Sequence, residues 1–399
     1  MRENRTSFLF LNLGHGYAHL FMLLYPTVVL ALEGEFQGSY GALLALATGG
    51  FVAFGAGSLP AGWLGDRWSR HGMMAVFFLG LGLSSMVTGF ARSPFEIAVG
   101  LTLIGVFASI YHPVGIALVV SGAERVGRRL GINGVWGNMG VASAALIAGA
   151  LTDLMGWRAA FILPGAVAFL TGLAYMLLVP RPAGEAEAGS GSRAATSPVP
   201  RNARLRAFGV LAVSTVVGGL IFHAMTIGLP KVFDERMGDI ADTTLGIGGL
   251  VSVIYAIAAF AQIAVGWLID RYPLKPVFVI VVSLQVPLFV AAAWLSGPAL
   301  LVGALAVMLL VFGEIPINDT LVARYTIDAW RSRVYAVKYA LTLGVGTATV
   351  PMVAVTHELG GGFATLFATL SALALVIALA ALLLPAESRV QAAPMPAGE

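Results

Sequence analysis

Twelve separate stretches of this chain are each long and apolar enough to cross a bilayer, and no other feature of the sequence constrains the fold as tightly. They run over 8–32, 41–64, 73–91, 94–121, 130–153, 159–179, 207–231, 244–269, 275–295, 299–323, 332–356 and 362–384. A bilayer core about 30 Å thick needs about 20 mostly apolar residues per helix. Inside it every backbone polar group must be satisfied within the protein, which leaves helices or closed barrels. A barrel would show alternating segments of about ten residues, and that pattern is absent. The expectation is an all-α polytopic membrane protein of twelve transmembrane helices. The start, MRENRTSFLF, is basic and then apolar like a signal peptide, but the apolar run is too long and reads as an uncleaved first span.

Composition excludes the alternatives. Only 11% of residues are charged, against about 25% in soluble domains. A soluble enzyme, a disordered scaffold and a disulfide-stapled domain are therefore ruled out. The formal charge of +3 is too small to imply a nucleic-acid partner. With no Cys, thiolate metal sites and thiol catalysis fall away. No nucleotide-binding loop or cofactor motif is present, so the chain reads as a non-enzyme without a cofactor.

After Pro180 the sequence RPAGEAEAGSGSRAATSPVPRNARLR can neither span nor form a core. It reads as a linker, 181–206, between a first bundle, 1–180, and a second, 207–385, with 386–399 as a disordered tail. Of the 23 Lys and Arg, all but Arg92, Arg158, Lys231 and Arg236 fall on the side of the termini, counting Arg324 and Lys338 near or within spans. The opposite side holds Glu33, Glu35, Glu96, Asp153, Asp234, Glu235, Asp239, Asp242 and Glu358. The asymmetry predicts a multi-pass protein of a bacterial-type inner membrane with both termini and the linker in the cytoplasm.

The two halves repeat. Gly62-Trp63-Leu64-Gly65-Asp66-Arg67 matches Gly266-Trp267-Leu268-Ile269-Asp270-Arg271 at an offset of 204 residues, and His19 and Pro26 map onto His223 and Pro230 at the same offset. Pro113 maps onto Pro316 at 203. Two parallel six-span halves are a transporter architecture, with the substrate path between them near the midplane. Four prolines at symmetric places predict kinks. A single chain containing both halves forms a path as a monomer.

From Gly62 to His71 the sequence GWLGDRWSRH resembles the loop 2–3 signature of the major facilitator superfamily, with Ser69 in place of a Gly and His71 in place of a Lys or Arg. The second copy keeps Gly266, Asp270, Arg271 and Lys275. The resemblance covers essentially the whole chain and implies two pseudo-symmetric six-helix bundles working by alternating access. Tyr111-His112-Pro113-Val114-Gly115, with His15 and His19, is similar to the fosmidomycin-resistance branch, whose members export small drugs against a proton gradient. The antiporter signature of span five falls near Gly137-Asn138-Met139-Gly140 to Gly149 and lacks its proline.

The loop residues read as a latch. Asp66 lies where it can cap the following helix or pair with arginines. Asp66, Arg67, Arg70, Arg129, Asp270 and Arg271 are therefore expected to hold the halves together at the cytoplasmic end. Charges at a helix centre are costly, at least about 2.5–3.5 kcal/mol on insertion scales, so those found there are usually functional. Span ten carries Glu314, Asn318 and Asp319, and span eleven a polar stripe of Tyr335, Lys338, Tyr339 and Thr342. Lys338 is expected to pair with Glu314 or Asp319, and rocking that separates the pair would load and release a proton. Glu314, Asp319, His19 and His223 are the candidate proton carriers. His15, Tyr25, His112, Trp136, Asn138, Asn318, Tyr335, Lys338 and Tyr339 are the candidate substrate contacts. The spacing of His15 and His19 also permits a metal site, but no metal is assigned. The expected partners are a small-molecule substrate, protons and the lipid bilayer. Proton-coupled efflux of a small amphiphilic or anionic compound leads, with uptake of a small organic anion and a non-transporting sensor or interaction subunit as alternatives.

Overall fold

The structure is a computed structural model that describes residues 5–121, 126–180, 201–238, 240–326, 334, 337–342, 344–359 and 361–385. Twelve apolar helices pass through it: α1 (Arg5–Phe36), α2 (Tyr40–Gly65), α3 (Arg70–Gly89), α4 (Pro94–Val119), α5 (Gly131–Met155), α6 (Ala159–Leu178), α7 (Arg201–Arg236), α8 (Thr244–Arg271), α9 (Leu274–Ala292), α10 (Gly297–Val322), α11 (Val337–Glu358) and α12 (Phe363–Leu382). Among the described residues there is no strand. Leu, Phe and Val remain exposed on outward faces throughout, as expected where lipid rather than water is the solvent. Helix α7 begins at Arg201, inside the stretch read as linker, because RNARLR continues the helical register before the apolar run starts.

Small residues set how closely the helices cross. Gly105 packs so near the backbone of Gly50 that an added Cβ would lie 2.0 Å from the Gly50 carbonyl oxygen, which joins α2 to α4. Between the halves, a Cβ on Gly248 of α8 would lie 2.2 Å from the carbonyl of Ala145 in α5. One on Gly149 would lie 2.3 Å from the carbonyl of Thr244. Such contacts replace the hydrophobic drive that is missing between helices in lipid.

The repeat survives as geometry. Arg67 lies 5.2 Å over the ring of Trp63, and Arg271 lies 4.0 Å over Trp267, the equivalent pair in the second half. The symmetric prolines behave differently. In α1 the regular helix stops at Leu23 and resumes as a short turn containing Pro26 and a 3-10 turn. In α4 a π-helical turn spans Tyr111–Gly115 around Pro113. In the second half, Pro230 and Pro316 sit within continuous α-helix. Departures from the α-helical pattern at these prolines are therefore confined to the first half.

The cap of α3 also differs from expectation. Ser69 is the N-cap, and its hydroxyl accepts from the backbone N–H of Gly72 at 2.9 Å. The side chain of Asp66 lies outside the described residues. Neighbouring His71, read as a loop cation, is buried and stacks on Tyr175 of α6, with 3.1 Å between its Nδ1 and the Tyr175 hydroxyl.

Candidate functional site

Two polar clusters are buried near mid-membrane, one in each half, at positions related by the repeat. Tyr111 in α4 and Glu314 in α10 are 203 residues apart, the offset that relates Pro113 to Pro316.

In the first half, the π turn of α4 turns two consecutive residues onto α1. Tyr111 stacks on His15 at 4.9 Å between ring centroids, and His112 meets both His15 and His19 edge-on at 5.5 and 5.3 Å. The YHPVG sequence explains the turn. Pro113 withholds an N–H from the α-helical pattern, and a Cβ at Gly115 would lie 2.6 Å from the Tyr111 ring. Extra-residue turns of this kind recur at functional sites.

His15 and His19, one turn apart, bring their Nε2 atoms to 3.3 Å. His15 Nδ1 lies 2.8 Å from the backbone oxygen of Asn133 in α5, so it donates there and its Nε2 carries a lone pair. The side-chain amide of Asn133 donates to Tyr111 Oη at 2.8 Å and to Asn12 Oδ1 at 3.0 Å. A Cβ on Gly137, one turn further along α5, would lie 2.6 Å from His15 Nε2. That position is small because the imidazole occupies the space.

In the second half, Glu314 is buried among Ser214 of α7, Gln285 of α9 and Asn318 of α10. Ser214 Oγ lies 2.7 Å from both Glu314 Oε1 and Asn318 Oδ1, and its one proton can serve only one of them. Turning the Asn318 amide round gives Ser214 a donor but aims the amide oxygen at Glu314 Oε1, across the 3.3 Å now spanned by an N–H. In either orientation one oxygen–oxygen contact lacks a proton while Glu314 is ionised. A proton on Glu314 fills it. Lys338 of α11 pairs with Asp319, not with Glu314, and its ammonium lies 5.1 Å from the Tyr339 ring centroid. Asp319 is about one-third exposed, its partner Lys338 buried.

Ring contacts join the two halves beside these clusters. His112 meets Tyr339 at 5.9 Å, and Phe51 of α2 meets His223 at 6.0 Å. His223 Nε2 lies 3.1 Å from the backbone oxygen of Thr342. Other expected substrate contacts fall elsewhere. Tyr25 is buried and its hydroxyl donates to the Leu43 carbonyl at 2.7 Å, holding the broken part of α1 to α2. Trp136 is exposed and Asn138 half-buried on either side of Gly137, and neither makes a hydrogen bond or ring contact to the histidines. Tyr335 lies outside the described residues.

Asp66, the centre of the expected latch, has its side chain outside the described residues. Arg129 lies over Phe8 at 4.7 Å and donates to the Val119 carbonyl at 3.3 Å. Arg67 and Arg271 rest on their tryptophans, Asp270 is exposed, and Arg70 is half-buried at the start of α3. An ion network joins the halves at the end away from the termini. Lys231 of α7, itself buried, binds Glu33 of α1 at 3.0 Å and Asp234 at 2.8 Å. Its ammonium lies 5.3 Å from the Tyr40 ring centroid. His357 of α11 binds Glu235 at 2.6 Å and packs on Tyr40 at 5.0 Å. Glu358 accepts from the backbone N–H of Gly41 at 2.8 Å. Asp153 of α5 accepts from the N–H of Leu245 at 2.6 Å. The hydrogen bonds Gly41–Glu358, Leu146–Ser252, Lys231–Glu33 and Leu245–Asp153 cross between the halves.

Asn12, Asn133, Glu33, Lys231 and Glu358 are the residues that sequence reasoning passed over. A signal existed for three. Asn12 is three residues before His15 on one helical face, and Asn133 is a lone amide in span five. Lys231 is a cation on the acid-rich side.

Two six-helix halves, each with a buried polar cluster, have the architecture of an alternating-access membrane transporter. Residues 14–337 match the family described as Major Facilitator Superfamily, and the chain belongs to it. It is 29% identical over 220 residues to the puromycin resistance protein pur8 of Streptomyces alboniger. That match covers 54% of this chain and 33% of pur8, so the chain is aligned with about a third of that relative's length. Among solved structures, a bacterial homologue of the human lysosomal transporter Spinster, inward-facing and occupied, superimposes with a TM-score of 0.77 at 14% identity, covering 96% of each chain. A D-xylose–proton symporter superimposes with a TM-score of 0.71 at 15% identity, covering 94% of this chain and 97% of its own. At such identities the likeness is one of fold.

Proposed function

We propose that this protein exports a small amphiphilic compound in exchange for protons, working as a monomer in a bacterial inner membrane with both termini in the cytoplasm. The observation that carries the coupling is the buried carboxylate Glu314, whose short contacts with Ser214 and Asn318 each have a proton only when Glu314 holds one. A carboxylate that keeps its proton in one state and loses it when its surroundings rearrange is the working part of an antiporter. Asp319 and Lys338 stand beside it as a second switch, because an ion pair spanning α10 and α11 is broken by any movement of α11 against α10.

The direction of transport is supported by the puromycin resistance relative. The closed network at Lys231 and Glu33 supports a state in which the far side is shut and the cytoplasmic side is able to load cargo. Aromatic and imidazole surfaces along the seam, Phe51, His112, His223 and Tyr339, suit a flat amphiphilic molecule.

Expression in a drug-sensitive bacterium tests the reading. It predicts raised tolerance to puromycin or another aromatic antibiotic, with less drug retained inside the cells. Drug accumulation above the control would reverse the direction and favour the uptake alternative.

A further inference from the structure

The imidazoles of His15, His19 and His112 come from two helices, and their ligand-capable nitrogens all lie within 4.8 Å of one another. We propose that these three residues form a binding site for one first-row divalent transition-metal ion of the Zn²⁺ type, with a fourth coordination position left open towards the opposing half. This is independent of the transport reading, since binding requires neither a gradient nor a cargo.

The distances fit such an ion. Imidazole nitrogens sit about 2.0–2.1 Å from Zn²⁺, so two of them on a tetrahedral ion are about 3.3–3.4 Å apart. His15 and His19 already hold their Nε2 atoms at 3.3 Å. That contact needs one proton between two nitrogens; when an ion binds, His19 carries that proton on its Nδ1 instead, so the imidazole stays neutral and its Nε2 lone pair faces the metal. His112, its ligand nitrogen within 4.8 Å of the other two, closes the triangle by moving inward.

Surrounding structure prepares the ligands. A metal-bound histidine normally donates its other ring nitrogen to a carbonyl or carboxylate, which fixes the tautomer. His15 does this, with Nδ1 held by the Asn133 carbonyl at 2.8 Å and the ring backed by Tyr111. His112 supplies a second, independent sign. It is 6% exposed, and its Nδ1 is buried with no hydrogen-bond partner. A buried imidazole nitrogen without a partner is unfavourable, and an ion held by this cluster draws the ring into a bonded arrangement.

Ligand chemistry sets the selectivity. Three neutral imidazoles suit Zn²⁺, Co²⁺, Ni²⁺ or Cu²⁺ and offer nothing to Mg²⁺ or Ca²⁺, which require oxygen. With no carboxylate among the ligands, the ion keeps its full charge. The open position therefore favours an anionic or lone-pair donor. Tyr339 of α11 lies across the seam from His112 and borders that position.

The test is a Co²⁺ titration of the untagged full-length chain in detergent. It should yield one equivalent bound with the strong visible absorption of tetrahedral Co²⁺, bleached by Zn²⁺ and unaffected by excess Mg²⁺. His15→Ala and His112→Ala should each weaken binding at least tenfold. His19→Gln provides the same reading should His112→Ala fail to elute as a single species. A well-folded wild type with no tetrahedral spectrum, or affinity unchanged in all three variants, would overturn the proposal.

Discussion

Gly137 shows how a residue without a side chain shapes the site. Its Cα faces His15 so closely that a Cβ would lie 2.6 Å from the ring nitrogen, and the ring cannot retreat while Asn133 holds its other nitrogen. Gly137→Ala should therefore displace the imidazole and destabilise the protein by about 1–3 kcal/mol, the usual cost of overpacking. Thermal unfolding in detergent reads this directly, and an unchanged midpoint would show that α5 and α1 can separate without penalty. The sequence displayed this glycine within a small-residue series, which reads as helix packing. Only the placement of His15 gives it a further role. Asn133 was hidden for a related reason. Its backbone oxygen and its amide serve α1 and α4, and no spacing rule connects residues 118, 121 and 22 positions apart. Lys338 was the opposite case, because a cation in a span requires a nearby carboxylate and α10 offered two candidates. Geometry alone chose Asp319.

Helices carry the next level of specificity. The second turn of the loop signature, where Ser69 replaces the glycine expected of the family, looks like a departure in sequence and is an N-cap in structure. Ser69→Ala should cost about 1 kcal/mol by leaving the first turn of α3 unsatisfied, whereas Ser69→Gly should cost only a few tenths. A pair of melting curves distinguishes these, and equal losses would mean that the hydroxyl does not cap. In α4 the π turn is what lets Tyr111 and His112 address the same neighbours. Its repeat-mate in α10 stays α-helical across Pro316 and presents Glu314 and Asn318 four residues apart instead. Twelve spans and a two-fold repeat were legible because hydropathy and the GWLxDR motif survive any local irregularity. The unequal response of the paired prolines was not, because it depends on what packs against each one.

At the scale of the whole molecule, the halves meet through small-residue crossings of α5 with α8 and through the ion network centred on Lys231. Acidic residues on that side read in sequence as a topology signal, and the structure also uses them to close the seam. Removing the lysine should free Glu33, Asp234 and Glu235 to repel one another and shift the population toward opening at that end. The chain has no Cys, so a single Phe51→Cys in the seam reports on this cleanly. Labelling by a membrane-impermeant maleimide from outside should rise severalfold when Lys231→Gln is added. Unchanged labelling would mean that the α5–α8 crossing alone keeps this end shut. A double-mutant cycle of Lys231 and Glu33 should give a coupling of about 1 kcal/mol, the upper end for pairs with one exposed partner.

The central claim is that exchange of drug for protons runs through the carboxylates of α10. The direct measurement is the internal pH of proteoliposomes holding a trapped pH dye, followed after a puromycin gradient is imposed. Wild-type protein should move protons opposite to the drug. Glu314→Gln should retain drug binding and lose the proton flux, and Asp319→Asn should reduce it. Proton flux equal to wild type in Glu314→Gln, with drug still crossing, would contradict the account and move the coupling away from α10.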